Sequence, residues 1–376
     1  MRVALVHDYL NQYGGAERVL EALRELFPDA PIYTIIHTPE NLPPRFRDWD
    51  IRTSFLNDLP FVKKHYEKYL PLFPLAVESF NFDEYDLVIS DSSAWVKGII
   101  TGPGTLHISY CYTPMRFAWD MYHLTLENKG KFYRRLLIPV LHYLRTWDVA
   151  SSRRVDHFIA ISTIVKERIK KYYGRDADVV YCPVDTETFT PDPSTKKEDF
   201  FLVVSRLKPY KRIDIAIEAF NRLGLPLVII GDGPEKGRLM RMARPNIHFL
   251  GDMKGREGDK IIASYYRRAQ ALIFPTLEDF GIVPLEAQAC GTPVIAFRGG
   301  GAVESVIEGK TGTFFHPQSP EALVEAVKRF DPGKFDPDVL VKHAKKFGKE
   351  EFKKKIKRIV DREYRKFLER KKRFLP

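Results

Sequence analysis

The chain has 376 residues, of which 44% are hydrophobic, 29% charged and 13% aromatic, enough for two cores and unlike a disordered or fibrous composition. No apolar run approaches the roughly 18 residues needed to cross a bilayer, and the start, MRVALVHDYL, is too short an apolar stretch for a signal peptide. The net charge is +11, and Lys342–Pro376 alone carries 16 Lys and Arg against 5 Asp and Glu, so the excess is local.

Cys111, Cys182 and Cys290 lie far apart with no C-x-x-C pair, which argues against a disulfide framework or a zinc site and suits a reducing cytoplasm. Asn and Gln together number only 11, a composition in keeping with a thermophilic source.

Two series of strand–helix alternation predict α/β domains with parallel sheets. The first opens with the strand Val3–His7, a glycine-containing loop and a helix over Ala16–Phe27. Its further strands are expected at Ile32–Ile36, Leu87–Ser90, Leu106–Tyr110, Phe158–Ile161 and Val179–Cys182. The second series comprises Phe200–Ser205, Leu227–Ile230, Ile247–Leu250, Ala271–Phe274, Val294–Phe297 and Thr313–Phe315, with periodic helices such as Ile213–Leu223 and Pro320–Phe330. The proline-rich, polar stretch Pro183–Asp199 between them reads as a linker. The division expected is an N-terminal domain over 1–190, a C-terminal domain over 191–345 and a basic helix over 346–376. Two Rossmann-like domains facing across a cleft would open their ligand sites, at the carboxyl ends of the strands, into that cleft.

In the final segment Phe352, Ile356, Ile359, Val360, Tyr364, Phe367 and Leu368 recur at helical spacing. Two readings stand beside each other: a surface helix with solvated charges, and a basic amphipathic helix drawn to an anionic membrane surface. Nucleic acid is not expected as a partner, because no zinc-finger or RNA-binding signature accompanies the charge.

Ser205-Arg206-Leu207 follows a strand, and Lys211 precedes a helix. A strand end feeding a helix N-terminus favours anions, and Arg and Lys add a planar fork and a point charge. PTLEDFGIVPLEAQACGTP adds a second anion site. Pro284 places the helix start near Ile282, so Glu278 falls in the strand-to-helix loop and Glu286 about one turn inside. The amides around Phe280, Gly281 and Ile282 are then free for a pyrophosphate, and Gly281 allows a close approach. Two carboxylates bracketing an anion site suit a nucleotide-sugar. The Gly14-Gly15 loop is equally well explained by a tight turn before a helix, and Gly231-Asp232-Gly233-Pro234 reads as a turn alone.

HDYLNQYGGAERV, YCYTPMRFAWD, SRLKPYKR, GDGP and the E-x7-E of Glu278 and Glu286 together resemble a family 4 glycosyltransferase of the GT-B architecture. Among its members the chain is similar to mannosyltransferases acting on lipid-linked glycans. The resemblance implies that Arg206 and Lys211 neutralise the donor diphosphate, that Glu286 binds the ribose hydroxyls, and that Glu278 contacts the transferred hexose with the Phe280–Ile282 backbone. It implies further that Leu250 flanks the base, that Gly14 and Gly15 approach the donor, and that the C-terminal helix returns to the N-terminal domain.

A departure from the family lies at Tyr112, where related enzymes carry a His at the reaction centre; a phenol does not titrate near neutrality. His107, on the same strand, is expected to be structural. Arg116 and Trp119 are acceptor-side candidates, Trp119 being as well explained as a core aromatic. The segment Phe61–Tyr69, mixing cations and aromatics, is a candidate contact for the acceptor or a solvated helix.

The expected reaction is retaining transfer of a hexose, from GDP-mannose first and UDP-sugars second, onto a glycan or polyprenyl-diphosphate-linked acceptor. It requires no metal and no cofactor, and takes place in the cytoplasm or peripherally at the inner membrane face. A nucleotide-sugar 2-epimerase and a non-catalytic nucleotide-sugar sensor are the rival readings.

Overall fold

The computed structural model describes residues 1–127 and 129–374; the last two residues of the expected basic tail lie outside the described residues. The chain divides into two compact units, Met1–Tyr181 with Phe352–Pro376, and Cys182–Glu351.

The first unit is built on seven parallel strands: β1 (Val3–Leu10), β2 (Ile32–His37), β3 (Ile51–Thr53), β4 (Leu87–Ser92), β5 (Leu106–Cys111), β6 (His157–Ala160) and β7 (Ala177–Val179). Their order is β3-β2-β1-β4-β5-β6-β7. β4 and β5 are buried throughout, the pattern of a sheet covered on both faces. Sequence periodicity does not predict β3, a three-residue edge strand held by its pairing of Ile51 with Ile32. β7 ends where a strand over Val179–Cys182 was expected to begin. A cluster containing Phe73, Phe82, Trp95 and Trp147 fills one side of this sheet.

The second unit carries six parallel strands: β8 (Phe201–Val204), β9 (Leu227–Ile230), β10 (Ile247–Gly251), β11 (Leu272–Phe274), β12 (Val294–Phe297) and β13 (Gly312–Phe315). Their order is β10-β9-β8-β11-β12-β13. The helix Ile213–Leu223 has the expected bounds and stops at Gly224, which caps it in the left-handed conformation.

The expected boundary near 190 moves to 181/182 for a physical reason. Pro183–Asp199 is no loose linker: Val184 and Phe189 are buried, the Val184 amide donates to the Phe347 carbonyl at 2.8 Å, and Lys197 bonds Ala269 and Thr292. The basic tail does not stand alone either. The helix Lys349–Phe374 buries Phe352, Ile356, Ile359, Val360 and Phe367. Phe352 meets the Tyr110 ring edge-on at 5.6 Å, Lys353 reaches Glu25 at 3.0 Å and Arg362 pairs with Asp178. Its apolar side thus belongs to the first unit.

In each sheet the strand order reverses beside the first strand, between β1 and β4 and between β8 and β11. Crevices outside the carboxyl ends at such points are where open α/β sheets hold ligands.

Candidate functional site

At the reversal point of the second unit, Arg206 lies just beyond β8, and Lys211 ends a single helical turn, Pro209–Lys211, on the same connection. The adjacent strand β11 runs into Thr276, Leu277 and Glu278. The two connections are tied together: the buried Thr276 hydroxyl donates to the Lys211 carbonyl at 2.9 Å, and the Lys211 ammonium pairs with the Glu278 carboxylate. Lys211 is nearly buried, whereas Arg206 is exposed and, among the described residues, its guanidinium has no acidic partner. A paired ammonium and carboxylate and an exposed guanidinium therefore share one strand-end crevice.

The helix after β11 spans Val283–Ala289 with Ile282 at its N-cap and Pro284 in its first turn, so Glu278 lies in the loop and Glu286 inside the helix. Gly281 has φ of 80°, a conformation that favours glycine. Among the described residues the Gly281 and Ile282 amides have no acceptor. Phe280 is buried and Glu286 is almost so; the Tyr266 hydroxyl donates to its carboxylate at 3.3 Å. Leu250 is exposed on the edge strand β10.

Two glycine sets that the sequence reading undervalued or passed over frame this crevice. Gly231-Asp232-Gly233 is more than a turn: a Cβ at Gly231 would lie 1.9 Å from the Ser205 carbonyl oxygen, and one at Gly233 2.4 Å from that of Leu207. The Leu207 amide bonds the Asp232 carbonyl at 2.8 Å, so this loop clamps the backbone carrying Arg206. Gly299-Gly300-Gly301 does the same for Glu278. The Gly301 amide donates to the Glu278 carbonyl at 2.8 Å, and a Cβ at Gly301 would lie 2.1 Å from the Phe280 Cα. The run of three glycines was the available signal, but only the fold shows which loop it packs on.

At the reversal point of the first unit the structure assembles a cluster that the sequence reading did not anticipate. The β1–β4 register sets His7 opposite Asp91. The His7 Nδ1 is 3.1 Å from Asp91 and its Nε2 3.6 Å from Glu17, all three buried. Beside them Asp8 accepts from the amides of Ser93, Ala94, Trp95 and Val96 and from the Ser93 hydroxyl. Gly14 caps the helix Gly15–Leu26 and its amide donates to Glu17 at 2.7 Å; a Cβ at Gly15 would meet nothing. The Tyr112 hydroxyl donates to the Ala16 carbonyl at 3.1 Å. Tyr112 thus braces the start of this helix.

Burial by itself would lower the His7 pKa, but the Asp91 carboxylate, by charge and hydrogen bond, and then Glu17 outweigh it and raise it to about 10. The imidazolium is therefore charged at neutral pH. A pKa raised in the folded state contributes stability that is complete below the unfolded value near 6.5 and is lost as pH rises through the folded one. The stability advantage of the native chain over His7→Asn should accordingly shrink between about pH 6.5 and 10, as read by urea unfolding. A pH-independent difference would dismiss the charge.

The other N-terminal candidates fall into place separately. His107 is buried, its ring bonded to the Ser90 hydroxyl at 2.8 Å, and burial pushes its pKa down to about 3; it is a neutral structural histidine. The Trp119 indole donates to Asp148 at 2.8 Å and stacks on Tyr172, so Trp119 is a packed aromatic. Arg116 is half-buried in the loop after β5. In Phe61–Tyr69, Tyr66 and Tyr69 pack on the core while Phe61, with φ of 59°, is 76% exposed.

Residues 184–350 fit the family model of glycosyl transferases group 1, and residues 13–188 that of glycosyltransferase family 4. The chain is 32% identical over 197 residues to a GDP-mannose-dependent alpha-(1-6)-phosphatidylinositol monomannoside mannosyltransferase of Mycolicibacterium smegmatis, a match covering 44% of this chain and 50% of that protein. It is 27% identical over 215 residues to a D-rhamnosyltransferase of Pseudomonas aeruginosa, covering 53% of each. The chain thus spans about half the length of the curated relatives it matches. The Anabaena protein HepE, crystallised with UDP, superposes with a TM-score of 0.70 over 96% of this chain and 100% of its own, at 17% identity. Sucrose-phosphate synthase from Thermosynechococcus elongatus gives a TM-score of 0.73 over 97% of this chain and 99% of its own, also at 17% identity. The fold is that of the GT-B glycosyltransferases, and two family models that together run from residue 13 to 350 agree with it: the chain belongs to family 4 of the glycosyltransferases.

Proposed function

We propose that this protein is a retaining, metal-independent hexosyltransferase that moves mannose from GDP-mannose to a glycan or polyprenyl-diphosphate-linked acceptor. The observation that carries the reading is the Lys211–Glu278 contact at the β8–β11 reversal, beside the exposed Arg206 and the open Gly281 and Ile282 amides. Breaking a glycosyl–phosphate bond leaves negative charge on the diphosphate and positive charge on the anomeric carbon. Arg206, Lys211 and the amides would take up the first. Glu278, next to the ammonium, would hold hexose hydroxyls, and Glu286, oriented by Tyr266, the ribose hydroxyls. With the diphosphate's charge met by these groups, the scheme calls for no metal ion.

Retention would follow if the departing phosphate oxygen takes the acceptor hydroxyl's proton while the new C1–O bond forms on the face that the old one leaves. GDP-mannose is placed first because the mycolicibacterial relative is named for it; UDP-sugars come second because HepE was crystallised with UDP. The test is a thermal-shift panel of GDP-, UDP- and ADP-sugars, followed by transfer to a mannose-accepting glycan. A donor at 100 times its dissociation constant should add about 2.7 kcal/mol of stability. With donor alone the sugar nucleotide should be recovered unchanged, which separates transfer from epimerisation. No shift with any nucleotide-sugar, or a trapped covalent glycosyl-enzyme, would overturn the reading.

A further inference from the structure

The first unit contains a helix, Lys131–Ser152, with two apolar stripes about a third of a turn apart. One side is accounted for: Leu141, Leu144 and Trp147 are buried and Leu137 packs against the same cluster. The other carries Phe132, Leu136, Pro139 and Tyr143, at spacings of four, three and four residues, which keeps them within about 40° of one line along the helix. All four are exposed, Phe132 by 78% and Leu136 by 56%. The first two turns, Lys131–Leu136, are exposed on every side, so this end projects beyond the packing that holds the rest. Tyr133 and Ile138 extend the uncovered apolar surface. Contiguous exposed apolar surface of this kind marks a surface that binds something.

The charge around it selects the partner. From Lys129 to Trp147 the chain contains Lys129, Lys131, Arg134, Arg135 and Arg145 and no Asp or Glu. Among the described residues none of Lys129, Lys131, Arg134 and Arg135 forms an ion pair, and the Lys129 ammonium lies 5.4 Å from the centre of the Tyr133 ring. Arg135 and Lys131 border the apolar line on one side by helical geometry. Side chains of this sort, aliphatic and aromatic groups edged by uncompensated cations, match the acyl–headgroup boundary of an anionic bilayer. A second copy of the chain docked face to face would set the same cations against each other, and nucleic acid offers nothing to an aliphatic line.

The basic C-terminal helix does not fill this role. Its cations are numerous, but Phe352, Ile356, Ile359, Val360 and Phe367 are already buried against the first unit, leaving Leu368 as its exposed large aliphatic side chain among the described residues. It can attract a negative surface but, among the described residues, has no uncovered apolar side to insert.

We propose that the outer face of Lys131–Ser152, centred on Phe132 and Leu136 and edged by Lys131 and Arg135, seats the first unit on an anionic lipid surface. The proposal rests on the lipid-linked-acceptor reading for its purpose alone, since docking would bring the enzyme to an acceptor confined to two dimensions. Its test keeps the two apart. The full chain is sedimented with phosphatidylcholine vesicles with and without phosphatidylglycerol. Binding should require the anionic lipid and weaken as salt is added. Phe132→Ser with Leu136→Ser should lower the partition coefficient at least about tenfold, and Lys131→Glu with Arg135→Glu should abolish the preference for phosphatidylglycerol. The thermal shift given by GDP-mannose, read on the same variants, should remain that of the native chain, because every substituted side chain is exposed. Three results would overturn the proposal: no binding to anionic vesicles, loss of binding on Lys357→Glu with Arg358→Glu but not on the helix variants, or concentration-dependent dimers that Phe132→Ser dissolves. An absent GDP-mannose shift with intact vesicle binding would count against the donor reading alone.

Discussion

Lys211→Ala is expected to lower kcat/KM for the sugar-nucleotide donor by about 10²–10³-fold, or roughly 2.7–4 kcal/mol of transition-state stabilisation, the cost of losing one preorganised electrostatic group. Lys211 is nearly buried, its carbonyl is fixed by Thr276 and its ammonium by Glu278, so its position is set before any diphosphate arrives. Arg206, the other cation assigned to the diphosphate, is exposed just beyond β8 and has no acidic partner among the described residues, so it is not held in this way. Lys211→Arg retains the charge but enlarges the head group in a confined place and should fall between the alanine variant and the native chain. Glu278→Gln should weaken donor binding as well as turnover, since it loses both the ion pair and a carboxylate for the hexose. The measurement is initial transfer rate against donor concentration, with the unfolding temperature taken in parallel. Native-like kcat/KM in a folded Lys211→Ala would remove this residue from the chemistry.

The largest stability effect is expected at a different place, the buried ion pair between Lys97 and Asp148. Lys97 is 1% exposed and Asp148 fully buried. The ammonium also donates to the Ala94 carbonyl at 2.9 Å and lies 5.3 Å from the Trp147 ring centre. The carboxylate additionally accepts from Trp119 at 2.8 Å and from the Tyr173 hydroxyl at 2.9 Å. Lys97→Met would leave this carboxylate with neutral donors only, and breaking a buried pair from one side costs about 3–5 kcal/mol. The urea midpoint should fall accordingly. Lys97→Met with Asp148→Leu should recover much of the loss, since removing both charges leaves no uncompensated ion. A single-variant loss below about 1 kcal/mol would mean that water or rearranged neighbours satisfy Asp148.

The two expectations show how differently the two halves of the molecule could be read. In the second unit, loops between apolar strands and periodic helices place Arg206, Lys211, Glu278 and Glu286 without any knowledge of the sheet, and Pro284 alone locates a helix start within one residue. In the first unit the same reading picked out Gly14-Gly15, Tyr112, Arg116, Trp119 and Phe61–Tyr69 but not the buried cluster. It marked Tyr112 as a departure at the reaction centre, and only the structure shows that its hydroxyl donates to the Ala16 carbonyl. His7, Asp8 and Asp91 escaped notice because nothing local distinguishes a histidine or an aspartate at a strand end from a solvated one. The Asp91 partner of His7 and the Ser93–Val96 partners of Asp8 come from β4 and the loop after it, more than eighty residues away, through a register that only sheet pairing defines.

What the amino-acid sequence determined by itself was whatever depends on neighbours within a few residues: strand and helix positions, the second unit's loop chemistry, and the locality of the positive charge. Tertiary structure decided which apolar faces are used up and which stay uncovered. The tail helix has the stronger pattern of apolar and basic residues, yet it is folded onto the first unit, while Lys131–Ser152 leaves Phe132 and Leu136 in solvent. Periodicity reports that a helix has an apolar face; only the packed chain reveals whether another element already covers it.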